Sequence, residues 1–311
     1  MTETHQGNLT QFPYLSPIFG RAGNKSEIAD DIWERFGGDV RCFKDPFCGT
    51  ASILLARPLP GNFGSGEYRE QINDADGLVA NALRAIREAN PGELARECER
   101  AYSETDLVAA HRLFVQKRNE LEYKLQCNIN YFDLRLAGLF IWASRGWIGG
   151  RLGDPATAAN TKVPNASISR FFNNSAEDHI SWLHLRYRRV QILRGDGMRM
   201  VSSATQLKNP GITAVVFDPP YPLSRRARVY AYEDPLIARN ARLLALELGS
   251  LPKYRIAYCG FFSRYDPFFP KTWERLFWKS PGGYYVQGSN PESRKNANDE
   301  CIWFSPACLK P

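Results

Sequence analysis

The chain has 311 residues, of which 43% are hydrophobic and 23% charged, a composition that excludes a disordered or fibrous protein and suits one large α/β domain with a smaller insertion. No apolar run approaches the roughly 20 residues that span a bilayer, and the polar start MTETHQGNLTQFPYL has neither the basic nor the apolar region of a secretory signal. Forty basic against 33 acidic residues give a net charge of +7, which points to a polyanionic partner.

In chain order, SEIADDIWERF places Ile28, Ile32 and Phe36 at helical spacing, with Ser26 as the predicted cap. A short strand VRCF leads into the loop DPFCGTAS, after which SILLA begins a second helix. YREQIND reads as a strand that ends in acids, and GLVANALRAIREAN as a helix with Leu78, Ala82 and Ile86 on one face. Asp76 is the better candidate for its N-cap, which leaves Asp74 available for another task. This β-loop-α alternation predicts a parallel sheet covered by helices. From residue 91 to 182 the texture changes to long charged helical stretches followed by a Gly-, Asn- and Ser-rich passage, read as an inserted helical and loop subdomain. The sheet resumes with RVQILRGD, ITAVVFDPPY and RIAYCGFF, and the end, GYYVQGSNPESRKNANDECIWFSP, reads as two strands joined by a long polar loop. The predicted units are therefore 1–90, 91–182 and 183–311.

The seven cysteines are scattered without a C-x-x-C pair and the four histidines show no ligand spacing. A reducing, cytoplasmic compartment and no metal are expected.

The most informative string is FDPPYP, residues 217 to 222. Pro219 and Pro220 cannot donate ladder hydrogen bonds, so they end the strand at Asp218. That places a carboxylate, two conformationally fixed carbonyls and the ring of Tyr221 at the carboxyl end of a strand, where open α/β sheets bind ligands. Asp218 and the Pro219 carbonyl are suited to holding both N–H protons of an exocyclic amine, whose lone pair is otherwise delocalised into its base. Tyr221 is suited to stacking on a base drawn out of a duplex. Arginine runs flank the string: Arg186, Arg188, Arg189, Arg194 and Arg199 before it, and Arg225, Arg226 and Arg228 after it. They are candidates for phosphate contacts.

Five patches, in order, resemble the Dam-type adenine-specific DNA methyltransferases: PIFGRAGNKSEI, DPFCGTAS, INDADGLVANALRAI, LRGDGM and DPPY. The resemblance extends from about Pro17 to about Pro306. It implies a Rossmann-like α/β fold, with a mostly parallel seven-stranded sheet, helices on both faces and an inserted helical recognition subdomain. It also implies S-adenosylmethionine as cofactor and double-stranded DNA as partner. The matched cofactor positions are Phe19, Gly23, Lys25, Asp45, Pro46, Phe47, Gly49, Asp74, Asp196 and Asp218, with Asp74 on the ribose and Asp196 near the adenine. Asp218, Pro219, Pro220 and Tyr221 carry the catalytic motif, and Arg145, Gly146, Gly150, Arg151, Arg225 and Arg226 are candidate DNA contacts. Ala51 departs from the family pattern by standing where a second glycine is usual. The same motif serves adenine in RNA and the N4 amine of cytosine, and a non-catalytic DNA-binding protein that keeps the fold is a further alternative.

Overall fold

Helix and strand alternate from the start, because apolar residues at helical spacing give way to short β-branched and aromatic runs. The computed structural model describes residues 16–21, 23–57, 68–147, 152–156, 175–202, 211–220, 235–279 and 298–311. Helix α1 (Ala29–Phe36) buries Ile32, Trp33 and Phe36. Its N-cap is Ile28 rather than Ser26, whose N–H and Oγ instead bond the Asn24 carboxamide at 3.1 and 2.9 Å. There follow β1 (Val40–Asp45), α2 (Ser52–Leu55), β2 (Arg69–Asp74) and α3 (Gly77–Glu88). Asp76 caps α3, accepting the Leu78 N–H at 3.0 Å.

Helices α4 (Pro91–Cys98), α5 (Glu104–Cys127), α6 (Leu134–Gly146) and α7 (Ala176–Tyr187) come next. The chain then returns through β3 (Val190–Arg194), α8 (Met198–Val201), β4 (Ile212–Phe217), α9 (Pro235–Gly249), β5 (Tyr254–Phe261), α10 (Phe262–Tyr265), β6 (Glu274–Phe277) and β7 (Glu300–Phe304).

The seven strands form one sheet in the order β3-β2-β1-β4-β5-β7-β6. The five from β3 to β5 are parallel, and β7 lies antiparallel between β5 and β6. The chain leaves β1 toward β2 and β3, then crosses back to place β4 on the other side of β1. This reversal opens a crevice at the carboxyl ends of β1 and β4. The final hairpin differs from expectation: β7 contains the CIWF run, but its partner is Glu274–Phe277, and GYYV lies outside the described residues. ERLF was missed because it is four residues long and only partly buried.

The central strands are apolar on both faces, as a doubly covered sheet requires. Ala214 and Val216 of β4, Ala257 and Cys259 of β5, and Ile302 and Phe304 of β7 face one core. Val215 and Phe217, Ile256 and Tyr258, and Cys301 and Trp303 face the other, where Ala241, Ala245 and Leu248 of α9 cover them. A charged knot lies at β2: Glu70, 3% exposed, accepts from both terminal nitrogens of Arg186 at 2.6 and 2.7 Å and from the Tyr68 hydroxyl at 2.8 Å. Burial opposes ionisation of Glu70, but Arg186 and Arg57 outweigh it and hold its carboxyl below the usual range.

Helices α4 to α7 share a core with α3: Leu94, Phe114, Leu121, Phe140 and Ile180 belong to the same cluster as Leu78, Val79 and Ile86. Polar pins add to the seam. Asn81 on α3 donates to the Asp133 carbonyl and accepts its N–H, at 2.9 and 2.7 Å. Helices α4 and α6 approach closely at Gly138, where a Cβ would overlap the Glu97 side chain and come within 2.9 Å of its backbone carbonyl carbon. Gly138→Ala gains about 1 kcal/mol of helix propensity but forces the helices apart. A net loss of about 1–2 kcal/mol is expected, measurable as a lower urea midpoint at unchanged slope.

Candidate active site at the switch point

The loop after β1 turns sharply. Asp45, only 3% exposed, accepts the Phe47 N–H at 3.2 Å. Gly49 has φ +50° and Ala51 φ +58°, so Ala51 adopts the left-handed conformation that glycine favours. The departure noted in the sequence therefore keeps the turn, at a strain of about 1–2 kcal/mol. The Cys48 N–H bonds the Asn73 carbonyl at 2.9 Å, and the Gly49 N–H bonds Asp74 Oδ2 at 3.1 Å. Asp74 Oδ1 takes the Asp76 N–H at 2.8 Å. The Asn73 carboxamide donates to the carbonyls of Pro46 at 2.9 Å and Gly195 at 3.1 Å. The ends of β1, β2 and β3 are thereby stapled together. Gly197 must be small here, since a Cβ would strike the Pro46 carbonyl oxygen and lie 2.8 Å from its Cβ.

Across the crevice, Asp218 follows β4 and pairs with Lys25 at 2.8 Å. The Lys25 side chain is 4% exposed, and its Nζ also donates to the Gly23 carbonyl at 3.0 Å and lies 5.8 Å from the Trp278 ring centre. A cleft of about 780 Å³, open mouth included, is lined by Arg21, Lys25, Asp45, Gly49, Asp74 and Asp218, with Gly23, Phe47 and Pro220 among the other walls. It adjoins a larger hollow of about 1380 Å³ formed by Gly195 to Met198 and by α9, the two sharing Phe47, Ala75 and Ile237.

The structure gathers Gly23, Lys25, Asp45, Phe47, Gly49, Asp74, Asp218 and Pro220 at the first cleft and Asp196 at the second. Pro46 is buried behind the loop, where its carbonyl serves Asn73, and Pro219 is buried beside Asp218. Phe19 stands apart: it is 4% exposed and packs edge-on against Phe140 of α6 at 5.6 Å. Arg145 and Gly146 also face inward. Arg145 Nε donates to the Ile18 carbonyl at 2.6 Å, burial lowering its pKa to about 10, and a Cβ on Gly146 would meet the Tyr102 ring at 2.6 Å. Tyr221, Gly150, Arg151, Arg225 and Arg226 lie outside the described residues.

Sequence reading missed Arg21, Asn24, Thr50 and Ile237, all lining the cleft. Arg21 reaches Asp74 at 3.7 Å and Asp76 at 3.4 Å, and its place beside the glycine and lysine of PIFGRAGNK was the available signal. Nothing in the sequence marked Ile237, which the fold brings in from α9.

The carboxylates are crowded. Burial first, then the nearby charge of Asp218, pushes Asp45 up to about 8. Burial and Asp76 raise Asp74 as well, against the pull of Arg21. Among the described residues no His, Cys, Asp or Glu cluster could hold a metal, and no helix is long and apolar enough to cross a membrane.

A doubly wound, mostly parallel seven-stranded sheet with its cleft at the switch point is a Rossmann-like methyltransferase fold. The family model of the D12 class N6 adenine-specific DNA methyltransferases matches residues 22–241, which is 220 of the 311 residues, and the chain belongs to that family. It is an adenine-specific DNA methyltransferase. Among curated proteins nothing matches the chain.

The raised pKa of Asp45 has a consequence for stability. The folded state keeps a proton that the unfolded chain releases above about pH 4, so this group's contribution falls as pH rises toward 8. Asp45→Asn replaces the neutral acid with a neutral amide that still accepts the Phe47 N–H. Urea melts between about pH 5 and 8 should show wild type losing stability relative to the variant as pH rises.

Proposed function

We infer that the cleft binds S-adenosylmethionine and that Asp218 and Pro219 orient the N6 amine of an adenine turned out of the DNA duplex. The observation that carries this reading is the Lys25–Asp218 contact: an N–H donor already sits on the Asp218 carboxylate at 2.8 Å, at the mouth of a strand-end cleft. A target amine offers the same carboxylate the same kind of partner.

The residues present fit the cofactor. Asp74 accepts two backbone N–H groups, and a carboxylate has about four acceptor sites, so capacity remains for ribose hydroxyls. Gly49 carries no side chain where a ligand must lie close to backbone. Lys25, which lies on Asp218, and Asn24 are polar groups of the first cleft suited to an amino-acid moiety, and the hollow beside Asp196 suits an adenine. When bound, the sulfonium supplies an electrophilic methyl group.

The chain's own residues do the rest. The Asp218 carboxylate and the Pro219 carbonyl accept the two amine protons and favour a pyramidal nitrogen whose lone pair is available for attack. Tyr221 stacks on the flipped base and compensates for its lost neighbours. Lys25 keeps the carboxylate paired while no base is present, which offsets the cost of a half-buried unpartnered anion. The surplus proton leaves the amine after transfer, so no base is needed before attack. Residues 91–182 act as the recognition region, with Arg225 and Arg226 reaching phosphates. Phe19, Arg145 and Gly146 support the fold in this reading, since their side chains or Cα atoms are packed inward.

Transfer of labelled methyl from S-adenosylmethionine to unmethylated duplex DNA, followed by digestion to nucleosides, tests the proposal. Label in N6-methyl-2′-deoxyadenosine is expected, and Asp218→Ala should lower kcat by at least about 100-fold, as loss of one preorganised hydrogen-bonding group does elsewhere. Label confined to RNA or to cytosine overturns the substrate. An Asp218→Ala enzyme of wild-type rate overturns the site.

A further inference from the structure

Helix α5 belongs to the recognition region, yet it contacts both halves of the cofactor cleft through charge. Arg118 Nη1 lies 3.1 Å from Asp76 Oδ1 and 3.4 Å from Glu122 Oε1, one turn further along the same helix. Glu122 Oε2 accepts from Arg194 at 2.5 Å. On its other side Asp76 meets Arg21 at 3.4 Å, and Arg21 meets Asp74 at 3.7 Å. The result is a chain of alternating sign, Asp74–Arg21–Asp76–Arg118–Glu122–Arg194, with three acids and three arginines. One end is the acid proposed to hold the ribose. The other end is the last residue of β3, directly before the Gly195–Asp196 loop that walls the second hollow.

The chain is built rather than incidental. Asp76 and Arg118 are 5% and 8% exposed, and none of the remaining four side chains exceeds 19%. Gly77 is a glycine where a Cβ would lie 2.5 Å from Glu122 Cγ, so α3 makes room for that side chain. Asp76 does not need Arg118 to cap α3, because the Leu78 N–H already serves. Arg118 also fixes backbone beyond α6: Nε donates to the Gly153 carbonyl at 3.1 Å and Nη2 to that of Leu152 at 3.5 Å. Gly153, at φ +75°, returns its N–H to His111 Nδ1 at 3.0 Å. The recognition region therefore grips the cofactor site through one guanidinium.

The electrostatic logic sets a direction. Arg21 is one cation shared by two buried carboxylates. With Arg118 in place Asp76 is neutralised from its far side, and Arg21 stays available to Asp74. Withdrawing Arg118 removes one of the two arginines on Asp76 and draws Arg21 further toward it, away from Asp74. We propose that Arg118 is a positioning residue that sets cofactor affinity through Asp76 and Arg21, and that DNA held by the recognition region tightens cofactor binding through it. The inference rests on the cofactor reading given above. By linkage the effect is reciprocal, so cofactor also tightens DNA.

Calorimetry of S-adenosylhomocysteine, which cannot donate a methyl group, reads this without turnover, in the presence and absence of unmethylated duplex DNA. Wild type is expected to bind more tightly with DNA. Arg118→Met is expected to weaken Kd about tenfold and to lose the response to DNA, a typical size for coupling between sites. Arg118→Lys should recover part of both, since it keeps the charge without the fork. Glu70→Gln, which damages the separate buried knot at β2, should lower the melting temperature while leaving Kd and its DNA response intact. Wild-type Kd and DNA response in Arg118→Met overturn the proposal. So does an equal shift of Kd in Glu70→Gln, which reduces the effect to general destabilisation, or a wild-type Kd indifferent to DNA. Failure of wild type to bind the ligand at all overturns the cofactor reading itself.

Discussion

Two adjacent side chains at the end of β2 hold the site in register. The Asn73 carboxamide donates to the loops after β1 and β3, and the Asp74 carboxylate accepts one N–H from the β1 loop and one from the turn that opens α3. All of these backbone groups lie at strand ends, where the sheet ladder no longer satisfies them. An unpaired buried polar group costs about 1–3 kcal/mol, so each bond keeps a loop near its neighbour. The crevice of a doubly wound sheet follows from topology alone. A crevice with fixed walls follows from Asn73 and Asp74.

Those walls are rich in acid. Asp45, Asp74 and Asp218 all line the first cleft, and Arg21 and Lys25 are the cations that balance them there. Mutual repulsion and burial are relieved in two ways: protonation of Asp45, and sharing of Arg21 between Asp74 and Asp76. A site poised in this way favours a ligand that brings positive charge and hydroxyl donors over one that brings phosphate. Phosphate recognition by backbone alone would use a glycine-rich loop with bare N–H groups. Here the Gly49 N–H is already committed to Asp74 and the Phe47 N–H to Asp45.

Much of this was legible in the sequence, for identifiable reasons. The Pro219–Pro220 pair ends β4 because neither residue can join a ladder, and that fixed where Asp218 emerges. Asp76 and Asp74 were separable because only one of two neighbouring acids can cap α3. The Ser26 cap failed because Asn24, two residues earlier, competes for its N–H and hydroxyl. The β6 strand escaped because its burial depends on β7, which is paired to it across a long connection. Arg145 and Gly146 were candidate DNA contacts because their segment resembles one that the family places beside its recognition domain. In the fold they close α6, and the end of α6 is packed under Tyr102 and against the chain at Ile18. Arg118 and Glu122 carry no local signature at all, and Arg21 has only its place in PIFGRAGNK. Their meaning is long-range pairing with Asp76 and Arg194, which no spacing rule encodes.

The position of the inserted helices follows from the same packing. Between β2 and β3 the chain needs one crossover helix to cover the sheet, and α3 packs on both strands. Leu78, Val79 and Ile86 nevertheless share a cluster with residues of α4 to α7. The insertion is thus a second layer on α3 and not a separate body on a linker. A displacement of α5 cannot be absorbed by a hinge at its root, because Asn81 and Arg84 pin the far end of the α5–α6 pair to α3 through Asp133, Leu125 and Asn128. Close-packed interiors transmit such displacements instead of damping them. α3 is capped by Asp76 and begins at Gly77, so a displacement of α4 to α7 reaches the turn that donates the Asp76 N–H to Asp74.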